Sequence, residues 1–420
     1  MTSNQTEPKD YSSALVEDWE TKKLGEVAQI NLGQSPKGEY YNNDGDGPHF
    51  IQGSKNFGFR YPTLERFCSE PKRVADEGDV LISVRAPVGP VNISPETLCI
   101  GRGVTALKMN DGPNEYLYYF LKYFENKWDQ FADGTTFNSI TKSDLIELEI
   151  PYPPIDERKK ISKILSNIDE KYEINNKIIQ NLENIVQSLF KEYFVDFNTY
   201  SEFKNTSIGD IPETFEVLQL GDLCSTRGGG TPSTDEEEYW DGDNLWLTPK
   251  EVTSLNSKMV FDTERKITDE GLNNSSTKIM PKKSILLTSR ATVGEVVVNR
   301  EPMGTNQGFI CIQPNERIEP YFLTCVVENK RPEIESRASG STYDEISQTS
   351  FNGIEVAIPP KEDIERFENK VEDLYEEIYT RELENRKLKS LRDTLIPKLM
   401  SGELRVNDIN LEDLEVSNEV

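Results

Sequence analysis

An internal repeat is the strongest constraint on how this chain can fold. The run Trp19-Glu20-x3-Leu24-Gly25-Glu26 returns 196 positions later as Phe215-Glu216-x3-Leu220-Gly221-Asp222. Ser35-Pro36 falls on Thr231-Pro232, and Phe50-Ile51-Gln52 on Trp246-Leu247-Thr248. Further along the offset is 205: Val80-Leu81-Ile82-Ser83-Val84-Arg85-Ala86-x-Val88-Gly89 pairs with Ile285-Leu286-Leu287-Thr288-Ser289-Arg290-Ala291-x-Val293-Gly294. Gly134-Thr135-Thr136-Phe137 matches Gly340-Ser341-Thr342-Tyr343, and Pro153-Pro154 matches Pro359-Pro360. Repetition on this scale rules out a single undivided domain. The second copy gains nine residues between the positions of Gln52 and Val80, which is where the copies differ most.

Each copy has two parts. The first, about 140 residues long, consists of short β-branched and aromatic runs punctuated by Gly, Pro, Asn and Asp. Helical stretches stand at 115–124 and 320–328. This reads as a compact α+β domain closed by the proline pair, because proline is tolerated at a helix start and not in its interior. The second part is helical. Ile161, Leu165, Ile168, Tyr172, Asn175, Ile179, Leu182, Val186, Leu189 and Tyr193 keep a 4,3 spacing for four heptads. In the second copy the seam runs through Ile364, Phe367, Val371, Leu374, Ile378, Arg381, Asn385, Leu388, Arg392, Leu395 and Leu399. Heptads sustained this long mean coiled-coil helices, and one seam asparagine in each fits a register pin. Three polar seam positions in the second helix also suit a helix that meets more than one partner. The charges on both helices nearly balance, as on a solvated coiled-coil surface.

The expected fold class is therefore α+β: two globular domains joined by two long antiparallel coiled-coil helices, duplicated about a pseudo-two-fold axis. The expected segments are domain one at 15–155, the central helix at 156–197, a linker at 198–214, domain two at 215–360, the C-terminal helix at 361–400 and an acidic tail at 401–420. At 1.5 Å per residue the helices run roughly 50 Å, which places the domains at opposite ends of a rod. Two heads more than about 34 Å apart suit two sites one or more turns apart on a duplex.

Composition removes many functions. His49 is the only histidine, so a three-histidine zinc site is impossible. The five cysteines, Cys68, Cys99, Cys224, Cys311 and Cys325, form no C-x-x-C pair, which argues against zinc ribbons and a disulfide framework. No metal site is expected. No apolar run approaches the roughly 18 residues of a membrane span. The polar N-terminus does not read as a secretory leader. The expected location is the reducing cytoplasm.

Catalytic patterns fail on inspection. There is no Walker A sequence. Gly101-Arg102-Gly103-Val104-Thr105-Ala106 leads into a strand, not into the helix that a dinucleotide site needs. Asn42-x-Asp44-x-Asp46-Gly47 has Gly53 where a calcium loop needs glutamate, and reads as a polar turn. Asp235-Glu236-Glu237-Glu238 reads as a solvated acidic loop. Asp144 with Glu157-x-Lys159 loosely echoes a nuclease, but the latter two fall in the first turns of a helix, where charge is expected anyway. No catalytic residue is assigned.

These residues together resemble the specificity subunits of type I restriction-modification enzymes over about residues 15–406. The markers are the duplicated Leu-Gly-Glu/Asp start, Gln34-Ser35-Pro36 with Phe50-Ile51-Gln52-Gly53, Gly229-Gly230-Thr231-Pro232 with Tyr239-Trp240-x-Gly242, and the paired Arg-Ala-x-Val-Gly. To these are added Leu189-Phe190-Lys191-x-Tyr193-Phe194-Val195-Asp196-Phe197 and Arg392-Asp393-Thr394-Leu395-Ile396-Pro397-Lys398-Leu399-x-Ser401-Gly402-Glu403-Leu404 at the helix ends. The resemblance implies two target recognition domains, each reading one half of a bipartite asymmetric site on double-stranded DNA. It implies that the helices set the spacer and dock two methyltransferase subunits, which use S-adenosylmethionine to methylate adenine. It also implies restriction/translocase subunits that use ATP and magnesium. No cofactor is expected on this chain, which is non-catalytic alone.

Because the two copies should read different half-sites, residues shared by both cannot easily carry the difference. Arg85 and Arg290, in register after a buried strand, read as scaffold or phosphate contacts. Base readers are expected where the copies diverge. In the first domain these are Lys55, Asn56, Arg60, Lys72, Arg73 and Arg102, with Phe57 and Phe59 interleaved. In the second they are Lys250, Ser254, Asn256, Lys258, Lys282, Lys283 and Gln307. Arginine and lysine suit guanine edges, and asparagine suits adenine.

The charge runs against this reading. With 47 basic and 74 acidic residues the net charge is −27, where a DNA-binding chain is expected to be basic. Either an acidic surface serves solubility in a saline cytoplasm, or partner subunits supply most of the DNA affinity. A partner in which nuclease and methyltransferase are fused fits the same residues. A structural coiled-coil adaptor with two protein-binding heads is the alternative from a different class.

Overall fold

A computed structural model describes residues 18–125, 127–128, 139–339 and 344–406. The matched stretches Gly134-Thr135-Thr136-Phe137 and Gly340-Ser341-Thr342-Tyr343, the expected domain start at 15–17, and the tail beyond residue 406 lie outside the described residues. The chain forms two compact units. The first joins the chain up to Glu173 with the chain from Arg386 onward, and the second is Ile174–Asn385. Among the described residues no helix is long and apolar enough to cross a membrane.

The first unit is built on an antiparallel sheet of β1 (Ala28–Leu32), β3 (Val80–Ser83), β4 (Val91–Ile93) and β6 (Val104–Met109), in the order β1-β6-β3-β4. All four residues of β3, Val80-Leu81-Ile82-Ser83, are buried, as befits a strand with neighbours on both edges and cover on both faces. A smaller sheet sets β2 (Phe50–Ile51) parallel to β5 (Leu98–Ile100), with Val74–Ala75 on the other side. Behind the main sheet lies α1 (Asn114–Phe124), whose Tyr116, Leu117, Tyr118, Tyr119, Phe120, Leu121 and Phe124 are all buried. Burial of the six consecutive residues 116–121 covers the helix on every side along that stretch and makes it a core element.

The long helix α2 spans Ile155–Phe194. Its first half belongs to the first unit and packs there with Leu395, Ile396, Leu399 and Met400. Asp169, only 1% exposed, accepts a hydrogen bond from Tyr119 Oη at 2.7 Å and one from Arg392 Nη1 at 3.3 Å. Glu157 at the helix start takes a bidentate pair from Arg405, at 2.7 and 2.9 Å, and the indole N–H of Trp19 at 3.0 Å. Glu157 is therefore committed to structure, and Asp144 caps its own short helix by accepting from the Thr141 N–H at 2.7 Å.

The second unit repeats the plan. Its main sheet holds β7 (Cys224–Gly228), β9 (Ile285–Thr288), β10 (Val296–Asn299) and β12 (Phe309–Pro314), in the order β7-β12-β9-β10, with a fifth strand, Met259–Val260, parallel to β10. Its smaller sheet sets β8 (Trp240–Leu247) parallel to β11 (Met303–Thr305). The buried helix is α3 (Pro320–Asn329), with proline in its first turn. The additional edge strand falls in the stretch where the second copy is longer. The expected linker 198–214 is not featureless: Phe203–Thr206 and Gly209–Pro212 form a hairpin. The left-handed φ of Gly209 permits its tight turn, and Ile211 anchors it in the core.

The helix α4 covers Lys361–Ser401 and ends at Gly402, whose φ of +77° is the left-handed conformation that stops a helix. In the second unit α2 and α4 run antiparallel. Phe190, Phe194, Phe322 and Phe367 interlock there, with Phe194 at 4.9 Å from Phe322 and 5.4 Å from Phe367 in near-perpendicular geometry. The two seam asparagines meet: Asn175 Nδ2 donates to Asn385 Oδ1 at 3.1 Å, and Asn385 Nδ2 donates to Asn176 Oδ1 at 2.8 Å. Of the other seam positions, Ile161, Leu165, Ile168, Ile179, Val186, Phe367, Val371 and Ile378 are buried, and Leu182, Leu189, Leu374 and Leu388 half-buried.

Glu328 on α3 lies against α2, where it accepts a hydrogen bond from Gln187 and sits 3.7 Å from Lys258 Nζ. Burial pushes its carboxyl up to about 7 from 4.5, with Lys258 opposing the shift. The folded protein thus holds this proton more tightly than the unfolded chain. The stability it contributes is complete below about pH 4.5 and is lost as the pH rises through 7. Glu328→Gln keeps the shape without the charge. It should leave the urea midpoint unchanged at pH 5 and raise stability at pH 8, by up to about 3 kcal/mol. Parallel pH profiles for the two proteins would refute this.

Candidate nucleic-acid interface

On the first unit the ends of the smaller sheet and the turn after β3 enclose an open groove of about 550 Å³. It is lined by Gln52, Ser54, Lys55, Asn56, Glu65, Arg66, Arg85 and Arg102, among others. Each element has a local reason to be there. Phe50 N–H donates to Arg66 O at 2.7 Å, which draws Arg66 alongside β2. Ser83 Oγ lies 3.0 Å from Arg85 O and 2.9 Å from Pro87 O, which folds the turn beyond β3 back on itself. Gly101 N–H donates to Ile51 O at 2.8 Å and Val84 N–H to Gly103 O at 2.9 Å, so the segment carrying Arg102 is fixed from both sides.

The groove concentrates cations in an acidic chain. Among the described residues, no hydrogen bond or ion pair engages the side-chain charge of Lys55, Arg66, Arg85 or Arg102. Elsewhere many cations are paired, as Lys282 is with Glu301 and Arg331 with Glu295. Four unpaired cations around one concave surface create a local positive field that the net charge conceals. Asn56 donates to Glu65 at 3.3 Å, and the two supply acceptor and donor groups at the rim.

The structure brings Lys55, Asn56, Arg85 and Arg102 together and sets the other candidates apart. Arg60 is only 4% exposed, with Nη2 at 3.4 Å from Ser166 Oγ on α2. Ile93 N–H donates to Arg60 O at 2.8 Å, and in the second unit Val298 N–H donates to Lys258 O at the same distance. Arg60 and Lys258 are thus structural counterparts. Lys258 likewise turns to Glu295 and Glu328, at 3.8 and 3.7 Å. Arg60 is buried in the packing of strand edge on helix, whereas the part-exposed Lys258 is engaged by two carboxylates. Phe59 stacks on Tyr172 at 4.3 Å beneath Arg392, and is occupied as a packing residue. Lys283 pairs with Glu372 at 3.0 Å. Lys72, Arg73, Lys250, Ser254 and Asn256 are exposed but not in the groove.

The shared arginines differ in their surroundings. Arg290 is bound by Glu345 at 2.8 and 3.1 Å. Backbone bridges place Glu345 opposite Arg290 and Ser139 opposite Arg85, so serine replaces the carboxylate in the first unit. Arg66 escaped the sequence reading. It lies in the divergent stretch, but only the Phe50 pairing reveals that it faces Lys55 and Arg85.

The family model for the type I restriction modification DNA specificity domain matches this chain twice, over residues 16–184 and 212–391. The chain belongs to that family. Both specificity domains contain the full sheet-and-helix plan described above. A type I restriction enzyme MjaIX specificity subunit from Methanocaldococcus jannaschii is 28% identical over 417 residues, covering 94% of this chain and 95% of that protein. A putative MjaX specificity subunit from the same organism is 43% identical over 173 residues, 40% of this chain and 41% of that protein. In fold, this specificity-domain chain is similar to the type I restriction-modification S subunit of M. genitalium, with a TM-score of 0.60 at 18% identity, covering 91% and 96% of the two chains.

Proposed function

We propose that this chain is the DNA-recognition subunit of a type I restriction-modification complex. Each specificity domain reads one half of a bipartite, asymmetric site on double-stranded DNA. The paired helices set the unread gap and dock two methyltransferase subunits. Those partners hold S-adenosylmethionine and methylate adenine, and restriction/translocase subunits with ATP and magnesium join them, in the cytoplasm. The chain itself supplies sequence choice and no chemistry. The observation that carries this reading is the duplicated specificity domain whose two copies keep one backbone framework and change the exposed side chains upon it. A groove of unpaired cations in a chain of net charge −27 supports it.

The test is methylation-sensitive long-read sequencing of DNA from a host expressing the chain with its methyltransferase, against a host lacking only the chain. A bipartite adenine-methylated motif that vanishes without the chain is the expected result. A complex that still assembles, with no motif, would favour a structural adaptor.

A further inference from the structure

Between the smaller sheet and the main sheet, each unit has a three-residue crossing with one exposed side chain at its centre. In the first unit it is Gly101-Arg102-Gly103, joining β5 to β6, and in the second Asn306-Gln307-Gly308, joining β11 to β12. The backbone is held alike in both. Gly101 N–H donates to Ile51 O at 2.8 Å, and Asn306 N–H to Leu247 O at 3.2 Å. On the other side Val84 N–H donates to Gly103 O at 2.9 Å, and Ser289 N–H to Gly308 O at 2.8 Å. A glycine lies against each crossing because nothing larger fits. A Cβ on Gly33 would stand 2.2 Å from Gly101 O, and one on Gly229 1.9 Å from Asn306 O.

Within this fixed frame the central side chain is what changes. Arg102 is exposed at the groove beside Lys55, Arg66 and Arg85, with its own N–H held by Ser35 Oγ at 3.2 Å. Gln307 is exposed too, and the Thr231 hydroxyl donates to its Oε1 at 2.5 Å. That bond holds the oxygen end of the amide and leaves its NH2 group as a donor, with one oxygen lone pair left to accept. Ser35 and Thr231 are themselves counterparts in the repeat, so a hydroxyl supports this position in both units.

The chemistry of the two side chains differs in the way that base reading requires. A guanidinium is bidentate to guanine O6 and N7, and a primary amide to adenine N7 and N6. Resting on the reading of the chain as a DNA-recognition subunit, we infer that residues 102 and 307 are equivalent base-reading positions, the first selecting a guanine in one half-site and the second an adenine in the other.

The test uses the assembled methyltransferase complex carrying Arg102→Gln, Arg102→Ala or Gln307→Arg. Binding is measured on duplexes of the wild-type motif with each base pair replaced in turn. Arg102→Ala should lose about 5- to 150-fold discrimination at one G·C pair of a single half-site. Arg102→Gln should shift preference there to A·T, and Gln307→Arg should do the reverse in the other half-site. Unchanged preference at every position would overturn the inference. So would uniform weakening on all duplexes at an unchanged melting temperature, which would make position 102 a phosphate contact. Absence of any bipartite motif for the unaltered complex would instead refute the recognition reading itself.

Discussion

Replacing Lys55, Arg66, Arg85 and Arg102 together by alanine should abolish recognition of one half-site while leaving the protein folded. The fold is expected to survive because no described hydrogen bond or ion pair uses these side-chain charges. The loss should be large because DNA affinity at moderate salt comes chiefly from released counterions. Each lost phosphate contact lowers the slope of log association constant against log salt by about 0.9. With Arg102 reading a base, the loss of the other three contacts should lower it by up to about 3. The measurement is the salt dependence of DNA binding by the assembled complex, with Lys282→Ala as a control, since that lysine is already neutralised by Glu301. A quadruple variant whose salt slope matched that of the control would show that the duplex lies elsewhere.

The largest stability effect is expected inside the first unit. Asp169 is buried and accepts from both Tyr119 and Arg392. Asp169→Ala would leave the Arg392 charge without its buried partner and the Tyr119 hydroxyl without its acceptor. Removing one partner of a buried ion pair costs about 3–5 kcal/mol, because the remaining charge stays desolvated. Asp169→Asn retains an acceptor oxygen and should cost less. Hydrogen exchange over residues 114–124 reports the opening of this unit directly. A cost below about 1 kcal/mol for the alanine variant would mean that Asp393, which accepts from Arg392 at 2.8 and 3.0 Å, neutralises it without Asp169.

The legible parts of the sequence were those written in periodicity and repetition. The heptads located the helices, and the offsets between copies showed that one α+β domain occurs twice, because a duplicated core must repeat its buried positions. The asparagine pair was legible for the same reason, since a polar residue in an apolar seam must find a polar partner. The groove was legible only in part. Arg60 and Lys258 looked like base readers because both are cations in the divergent stretch. Their direction depends on a strand edge that short sequence runs do not encode: Arg60 turns inward to α2, and Lys258 is drawn to Glu295 and Glu328. Arg66 was missed for the converse reason. Its neighbour across the groove is set by the Phe50–Arg66 backbone bond, a contact between two short irregular segments.

One feature of the architecture bears on how the protein is made. The second unit is a single stretch, Ile174–Asn385, whereas the first needs residues from both before Glu173 and beyond Arg386. On a ribosome the segment translated first is therefore finished last. Its core lacks Leu395, Ile396, Leu399 and Met400, and Glu157 lacks Arg405, until translation has passed these positions. In the interval the second unit is complete in sequence, while the first half of α2 has its contacts with earlier residues and lacks those with the end of α4. Early termination anywhere in the last turns of α4 would spare the younger unit and strand the older one.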